Sequence, residues 1–99
     1  MLNIEKATDA DIITYKLEGR LDTATSPDLE EEVKGISEDT KELVFDFENL
    51  EYISSAGLRV LLSAQKIMNK QGEMKVINVN ETIMEIFEVT GFTDILTIE

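Results

Sequence analysis

Apolar residues change their spacing several times along the chain, and each change marks an element. Leu2 and Ile4 alternate with polar neighbours as far as Lys6, the pattern of a short edge strand, and Thr8-Asp9-Ala10-Asp11 has the composition of a turn. Ile12-Ile13-Thr14-Tyr15-Lys16-Leu17 is β-branched and aromatic and alternates from Ile13, so a second strand paired with the first is expected, with Gly19 ending it. Ser26-Pro27 predicts a helix start, with Ser26 as N-cap and Pro27 at the first helical position, where its missing N–H costs nothing. Asp28 and Glu30 suit the positive end of that helix, Leu29, Val33 and Ile36 form its apolar stripe, and Gly35 ends it.

Leu43-Val44-Phe45-Asp46-Phe47 is short, apolar and aromatic, as a central strand should be. A second helix is expected from Ser55 or Ala56 to Lys70. Leu58, Val60, Leu61, Leu62, Ala64, Ile67 and Met68 cover a broad arc of it, and Arg59, Ser63, Lys66 and Lys70 share one narrow stripe opposite. Gly72 stops this helix, and Met74-Lys75-Val76-Ile77-Asn78-Val79 reads as a fourth strand. Asn80 caps a third helix that ends near Thr90 with Gly91 after it, and Ile95-Leu96-Thr97-Ile98 reads as a last short strand. The order β-β-α-β-α-β-α-β predicts one α/β domain over residues 1–99. Its mixed, partly parallel sheet has four to five strands, with about three helices largely on one face.

Composition narrows the chemistry. The 99 residues, 42% hydrophobic and 30% charged, suit one ordinary globular domain. Cys, His and Trp are absent, which excludes disulfides, thiolate nucleophiles, zinc sites built on Cys or His, and His-assisted Ser or Cys catalysis. No metal, cofactor or catalytic group is expected. A net charge of −12 disfavours nucleic acid and anionic membrane surfaces. No apolar run reaches the ~20 residues of a membrane span, and the N-terminus lacks the apolar stretch of a signal peptide, so the cytoplasm is the expected location.

Most of the informative chemistry lies between Asp46 and Arg59. A buried strand leaves the sheet, and Ser54 and Ser55 stand where a mostly apolar helix begins. An anion on either hydroxyl would meet free backbone N–H groups and the helix dipole, with Ala56 and Gly57 leaving the backbone open to approach. An ordinary N-cap with small residues for tight packing accounts for the same positions. A phosphate loop of the G-x-x-x-x-G-K-[ST] kind is absent, and no His activates either serine. Asp46 and Glu48 share a strand face, but a spacing of two is weak support for acid–base work, and Glu30-Glu31-Glu32 reads as a solvated helix face.

Four stretches occur in order across nearly the whole chain: Gly19-Arg20-Leu21-Asp22 before the Thr25/Ser26 helix start, Leu43-Val44-Phe45-Asp46-Phe47, Tyr52-Ile53-Ser54-Ser55-Ala56-Gly57-Leu58, and Val79-Asn80-Glu81 through Gly91-Phe92. Together they resemble the STAS domain, in the form of the small bacterial anti-sigma factor antagonists. The resemblance implies a protein-binding switch, not an enzyme. The unphosphorylated antagonist binds an anti-sigma factor that is also a serine kinase, which frees a sigma factor. Phosphorylation of a serine at the start of the second helix breaks the complex, and a PP2C-type phosphatase reverses it. Alignment on Gly57-Leu58 puts the target at Ser55, with Ser54 the second candidate. The family's acid after the second strand falls on Asp22, and its contact loop on Thr23 to Thr25. The partner surface implied is thus Asp22, Thr23, Thr25, Ser54, Ser55, Ala56, Gly57, Leu58 and Arg59. The chain departs from the commoner pattern at Ser54, where Asp usually precedes the target, and at Ala56, where Ser or Thr is usual. The alternative is a STAS scaffold in a stressosome-like or lipid-transport assembly with no phosphorylation cycle.

Charge is unevenly spread. From Ile53 to Asn80 there are four basic residues and one acid, or +3, and the rest of the chain holds five basic and 20 acidic residues, or −15. The implied phosphoserine opens the only positive segment.

Overall fold

Alternation from Ile13 sends Ile13, Tyr15 and Leu17 to one side of strand β2 (Ile12–Leu21), and all three are buried. In the computed structural model, which describes residues 1–99, β2 follows β1 (Leu2–Asp9) through a two-residue turn, Ala10-Asp11, in which Ala10 takes a left-handed φ of 55°. The two strands pair antiparallel from Leu2↔Gly19 to Asp9↔Ile12. Helix α1 (Ser26–Lys34) leads to β3 (Glu42–Ile53), α2 (Ser55–Asn69) to β4 (Glu73–Ile77), and α3 (Glu81–Thr90) closes the series. The sheet order is β1-β2-β3-β4, with the β2–β3 and β3–β4 pairs parallel.

Each parallel step needs a crossover, and the right-handed preference keeps successive crossovers on the same face as the sheet grows in one direction. One core cluster accordingly takes Leu29 and Val33 from α1, Leu61, Ala64 and Met68 from α2, and Ile83 and Phe87 from α3, packed on Leu43, Phe45 and Phe47 of β3. Val44 and Asp46 are buried but lie outside that cluster, on the other side of β3. Aromatic rings cross the core in a row. Tyr15 and Phe45 stack at 5.8 Å, and Phe45–Phe47, Phe47–Phe87 and Phe87–Phe92 follow at 6.4 Å each. The Tyr15 hydroxyl donates to the Glu32 backbone oxygen and carboxylate at 3.5 and 3.4 Å, so Glu32 belongs to the core rim rather than to a purely solvated face. Burial, then the Glu32 charge, pushes the Tyr15 hydroxyl up to about 12.

Helix ends follow the expected chemistry with one shift. Asn80 Oδ1 accepts from Ile83 N at 2.8 Å, and Gly91 at φ 80° closes α3. Gly35 ends α1, though with an ordinary φ of −87°. The N-cap of α1 is Thr25, not Ser26. Ser26 is already helical, and its hydroxyl donates to the Asp22 carbonyl while Pro27 lies in the first turn.

Five strand expectations need correction. Thr8 and Asp9 do not belong to the turn but pair with Ile13 and Ile12 as the end of β1. β4 stops at Ile77 rather than reaching Val79, and Asn78 after it takes a left-handed φ of 58°. β2 does not end at Gly19. It continues to Leu21 through register shifts flanking that residue, whose φ of 103° and closeness to the Met1 backbone admit only glycine. β3 runs beyond Phe47 to Ile53, because Asn49, Leu50, Tyr52 and Ile53 still pair with β2 although the apolar run has ended. The final strand reduces to one parallel bridge, Val76↔Ile98, after a 3-10 turn at Phe92–Asp94.

Phe47 is fully buried at the centre of the aromatic row. Phe47→Ala should therefore cost about 3–5 kcal/mol and lower the Tm by more than about 10 °C in a thermal melt.

Candidate functional site

Parallel pairing brings the C-terminal ends of β2 and β3 together, with Leu21 opposite Ile53. The chain leaves β2 into the Asp22–Thr25 loop and leaves β3 into α2, so loop and helix start lie side by side. Ser54 N donates to Leu21 O at 2.9 Å, which ties the two exits. The first turn of α2 then sits directly on the strand ends. A Cβ at Gly57 would lie 2.7 Å from Ile53 Cγ1 and 2.8 Å from Leu21 Cγ, so only glycine allows this seat. Gly57 thus serves close packing, and not the open approach to the backbone that its small size suggested.

The Asp22–Thr25 loop is built by its own side chains. Asp22 Oδ1 accepts from Ala24 N at 3.0 Å and Thr25 N at 3.1 Å. Thr25 Oγ1 accepts from Asp22 N at 2.9 Å and donates to Arg20 O at 2.8 Å. The hydrogen bond from the Thr25 backbone, aided by the Thr25 hydroxyl and the Ala24 N–H, outweighs desolvation and holds the Asp22 carboxyl below the usual carboxylate range. Asp22 is thus the keystone of the loop, and its Oδ2 lies 3.9 Å from Arg20 Nε.

Arg20 and Tyr52, which the sequence marks only as part of the family-like stretches, meet at this end of the sheet. They are partners in the parallel register, and the guanidinium carbon stands 4.6 Å above the centre of the Tyr52 ring. Neither strand's pattern shows this, since it depends on a pairing register shifted by two irregularities.

At the helix start, Ser54 is the N-cap, with Oγ accepting from Gly57 N at 3.5 Å, and Ser55 is the first helical residue. Ser55, Arg59 and Thr23 are exposed, while Asp22, Thr25, Ser54 and Ala56 are half-buried. Gly57 and Leu58 are buried, so they support the surface from beneath. Arg59, Ser63, Lys66 and Lys70 are all exposed, and the stripe read from the sequence faces out. Asp46 and Glu48 make no catalytic pair in this geometry, because Asp46 Oδ1 is taken by Glu48 N and Asn78 Nδ2, both at 3.0 Å. No three Asp or Glu side chains converge as a metal-binding group would. No helix is long and apolar enough to cross a membrane. The arrangement offers an exposed hydroxyl at a positive helix end beside an acidic loop ordered by its own hydrogen bonds.

A family model described as the STAS domain matches residues 3–99. The chain belongs to the STAS family. Within it, the anti-sigma-B factor antagonist of Staphylococcus aureus is 33% identical over 97 residues, which span 96% of this chain and 90% of that one. An anti-sigma factor antagonist from Mycobacterium paratuberculosis has the same fold, with a TM-score of 0.88 at 19% identity over 99% of this chain and 85% of that one. The phosphorylated form of the Bacillus cell fate determinant SpoIIAA superposes with a TM-score of 0.72 at 16% identity, covering 100% of this STAS domain and 91% of that chain.

Two outcomes follow from the site's construction. Gly57→Ala should lift the first turn of α2, costing about 1–3 kcal/mol and speeding hydrogen exchange at the Ser54 amide. Asp22 has a depressed pKa in the folded state, so its contribution is present above the ordinary carboxylate pKa of about 4 and is lost as pH falls through the folded value. Urea melts of wild type and Asp22→Ala should therefore differ more at pH 7 than near ~pH 2.

Proposed function

We propose that this STAS domain is a cytoplasmic anti-sigma factor antagonist, a binding protein without catalysis of its own. Its partner is an anti-sigma factor that is also a serine kinase. When unphosphorylated, the domain sequesters this partner and frees a sigma factor. The contact surface is the joined exit of β2 and β3, formed by Asp22, Thr23, Thr25, Ser54, Ser55, Ala56 and Arg59 over the buried support of Gly57 and Leu58. The observation that carries the reading is the placement of Ser55, exposed at the first position of α2 and tied through Ser54 to the Asp22 loop. The names of the relatives at 33% identity support the antagonist role.

Control comes from Ser55. The kinase joins Ser55 Oγ to the γ-phosphorus of ATP, ADP departs, and the hydroxyl proton passes to a base on the kinase. A PP2C-type phosphatase hydrolyses the ester and restores the binding form. The phosphate adds about −1.5 to −2 charges and three acceptor oxygens. A helix N-terminus tolerates that charge, so the backbone stays as it is. An interface shaped around a neutral hydroxyl does not, since like-charge contact costs several kcal/mol and a 100-fold loss needs only ~2.8 kcal/mol.

The test is capture of partners from native lysate with wild type and Ser55→Asp, followed by phosphosite mapping and titration of the recovered kinase. Wild type should bind it, Ser55→Asp should bind about 100-fold or more weakly, and Ser55→Ala should bind but accept no phosphate. Phosphate transfer to Ser55→Ala, undiminished binding of Ser55→Asp, or measurable ATP or GTP turnover by the domain alone would overturn the reading.

A further inference from the structure

Arg59 is a cation with no partner inside the domain. The chain's three salt bridges use Arg20, Lys34 and Lys75, and its cation–ring contact uses Arg20. Arg59 stands four residues after Ser55 on α2, and both are exposed. Residues so spaced have Cβ atoms about 5–6 Å apart. Every Cα–Cβ bond of a helix tilts toward its N-terminus, so the longer, later side chain leans back over the earlier one. Lys66 lies eleven residues beyond Ser55, ~16 Å along the axis, and is out of reach. At the helix start, Gly57 N turns to Ser54 Oγ, whereas the Ser55 and Ala56 N–H groups precede any intrahelical acceptor.

We infer that Arg59 is the intramolecular partner of a phosphate carried by Ser55. Its guanidinium pairs with the phosphate oxygens from the second turn while the helix N-terminus faces them from the first. The inference rests on Ser55 being the modified residue. Phosphorylation then makes two changes at once: it covers the hydroxyl, and it draws Arg59 out of the rim, where the unmodified side chain is free to meet an acidic group of the partner. Other charged groups at this end of the sheet are Arg20 of β2 and Asp22 of the neighbouring loop, 3.9 Å apart, the chain's amino terminus, whose charge acts on Asp22, and the exposed Glu51 of β3.

The test uses the full chain with phosphoserine placed at position 55 during translation, so no kinase is needed. Phosphorus NMR follows the phosphate through its second ionisation, ordinarily near pH ~6, in wild type, Arg59→Gln and Arg59→Lys. Arg20, Asp22, Glu51 and the amino terminus are common to all three and cancel. At low salt the wild-type phosphate should bind its proton about twofold more weakly than that of Arg59→Gln, as a helical ion pair of this spacing allows. Arg59→Lys should keep most of the difference, and ~1 M salt should remove most of it. Coincident wild-type and Arg59→Gln curves at low salt, or a difference that salt leaves unchanged, would overturn the inference. Absence of phosphate from Ser55 in the cell would instead end the reading of the site on which it rests.

Discussion

The placement of α2 depends on how closely its first turn approaches the end of β2. Leu21 and Ile53 are neighbours across the parallel pair, and Gly57 sits on both with no Cβ between. That contact lets Ser54 N reach Leu21 O at 2.9 Å, and the remaining geometry of the site follows. With Gly57 and Leu58 turned inward, the helical repeat turns Ser55 and Arg59 outward. The Asp22 loop, which begins immediately after Leu21, is held at the flank of the same turn. One glycine contact thus sets the distance between two surfaces that come from opposite ends of a crossover.

Much of this was legible in the sequence because it is local. Asn80 and Gly91 bound α3 as their capping chemistry dictates, and the apolar arc of α2 is the arc that is buried. Ser55 was legible as a helix-start hydroxyl, and the resemblance selected it over Ser54. Less visible were features created by pairing. β3 extends through Glu48-Asn49-Leu50-Glu51-Tyr52 because β2 offers it partners, not because these residues alternate. The stacking of Arg20 on Tyr52 requires a register that two irregularities shift. Thr25 took the capping position from Ser26 because the Ser26 hydroxyl turns back to the Asp22 carbonyl, one turn earlier in the chain. Position 57 looked like open space from the sequence alone, and only the packed strands reveal it as the tightest point of the site.

Electrostatics separates the two halves of this surface. The loop half carries a carboxylate whose Oδ1 is occupied by its own backbone, so Asp22 is stiff and its charge is fixed. The helix half carries a hydroxyl and an unpaired guanidinium, both exposed. Under the proposed reading, the fixed acid would position a partner and the positive edge beside it would govern release. The segment from Ile53 to Asn80, at +3 in a chain of −12, keeps that edge free of long-range competition from its own helix.

The parallel order of the sheet has a consequence for how the domain comes into being. β1 and β2 meet through a two-residue turn, but pairing Ile12 with Glu42, or Glu42 with Glu73, closes loops of about thirty residues. Loop closure makes such contacts slow to form, whereas the hairpin is local. The seat of α2 on Leu21 belongs to the slower pairing, whereas the Asp22 loop is held by hydrogen bonds between residues no more than five apart. Under the proposed reading, a nascent or truncated chain ending before β3 lacks the helix half of the surface, and only a domain that has completed its first crossover presents both halves together.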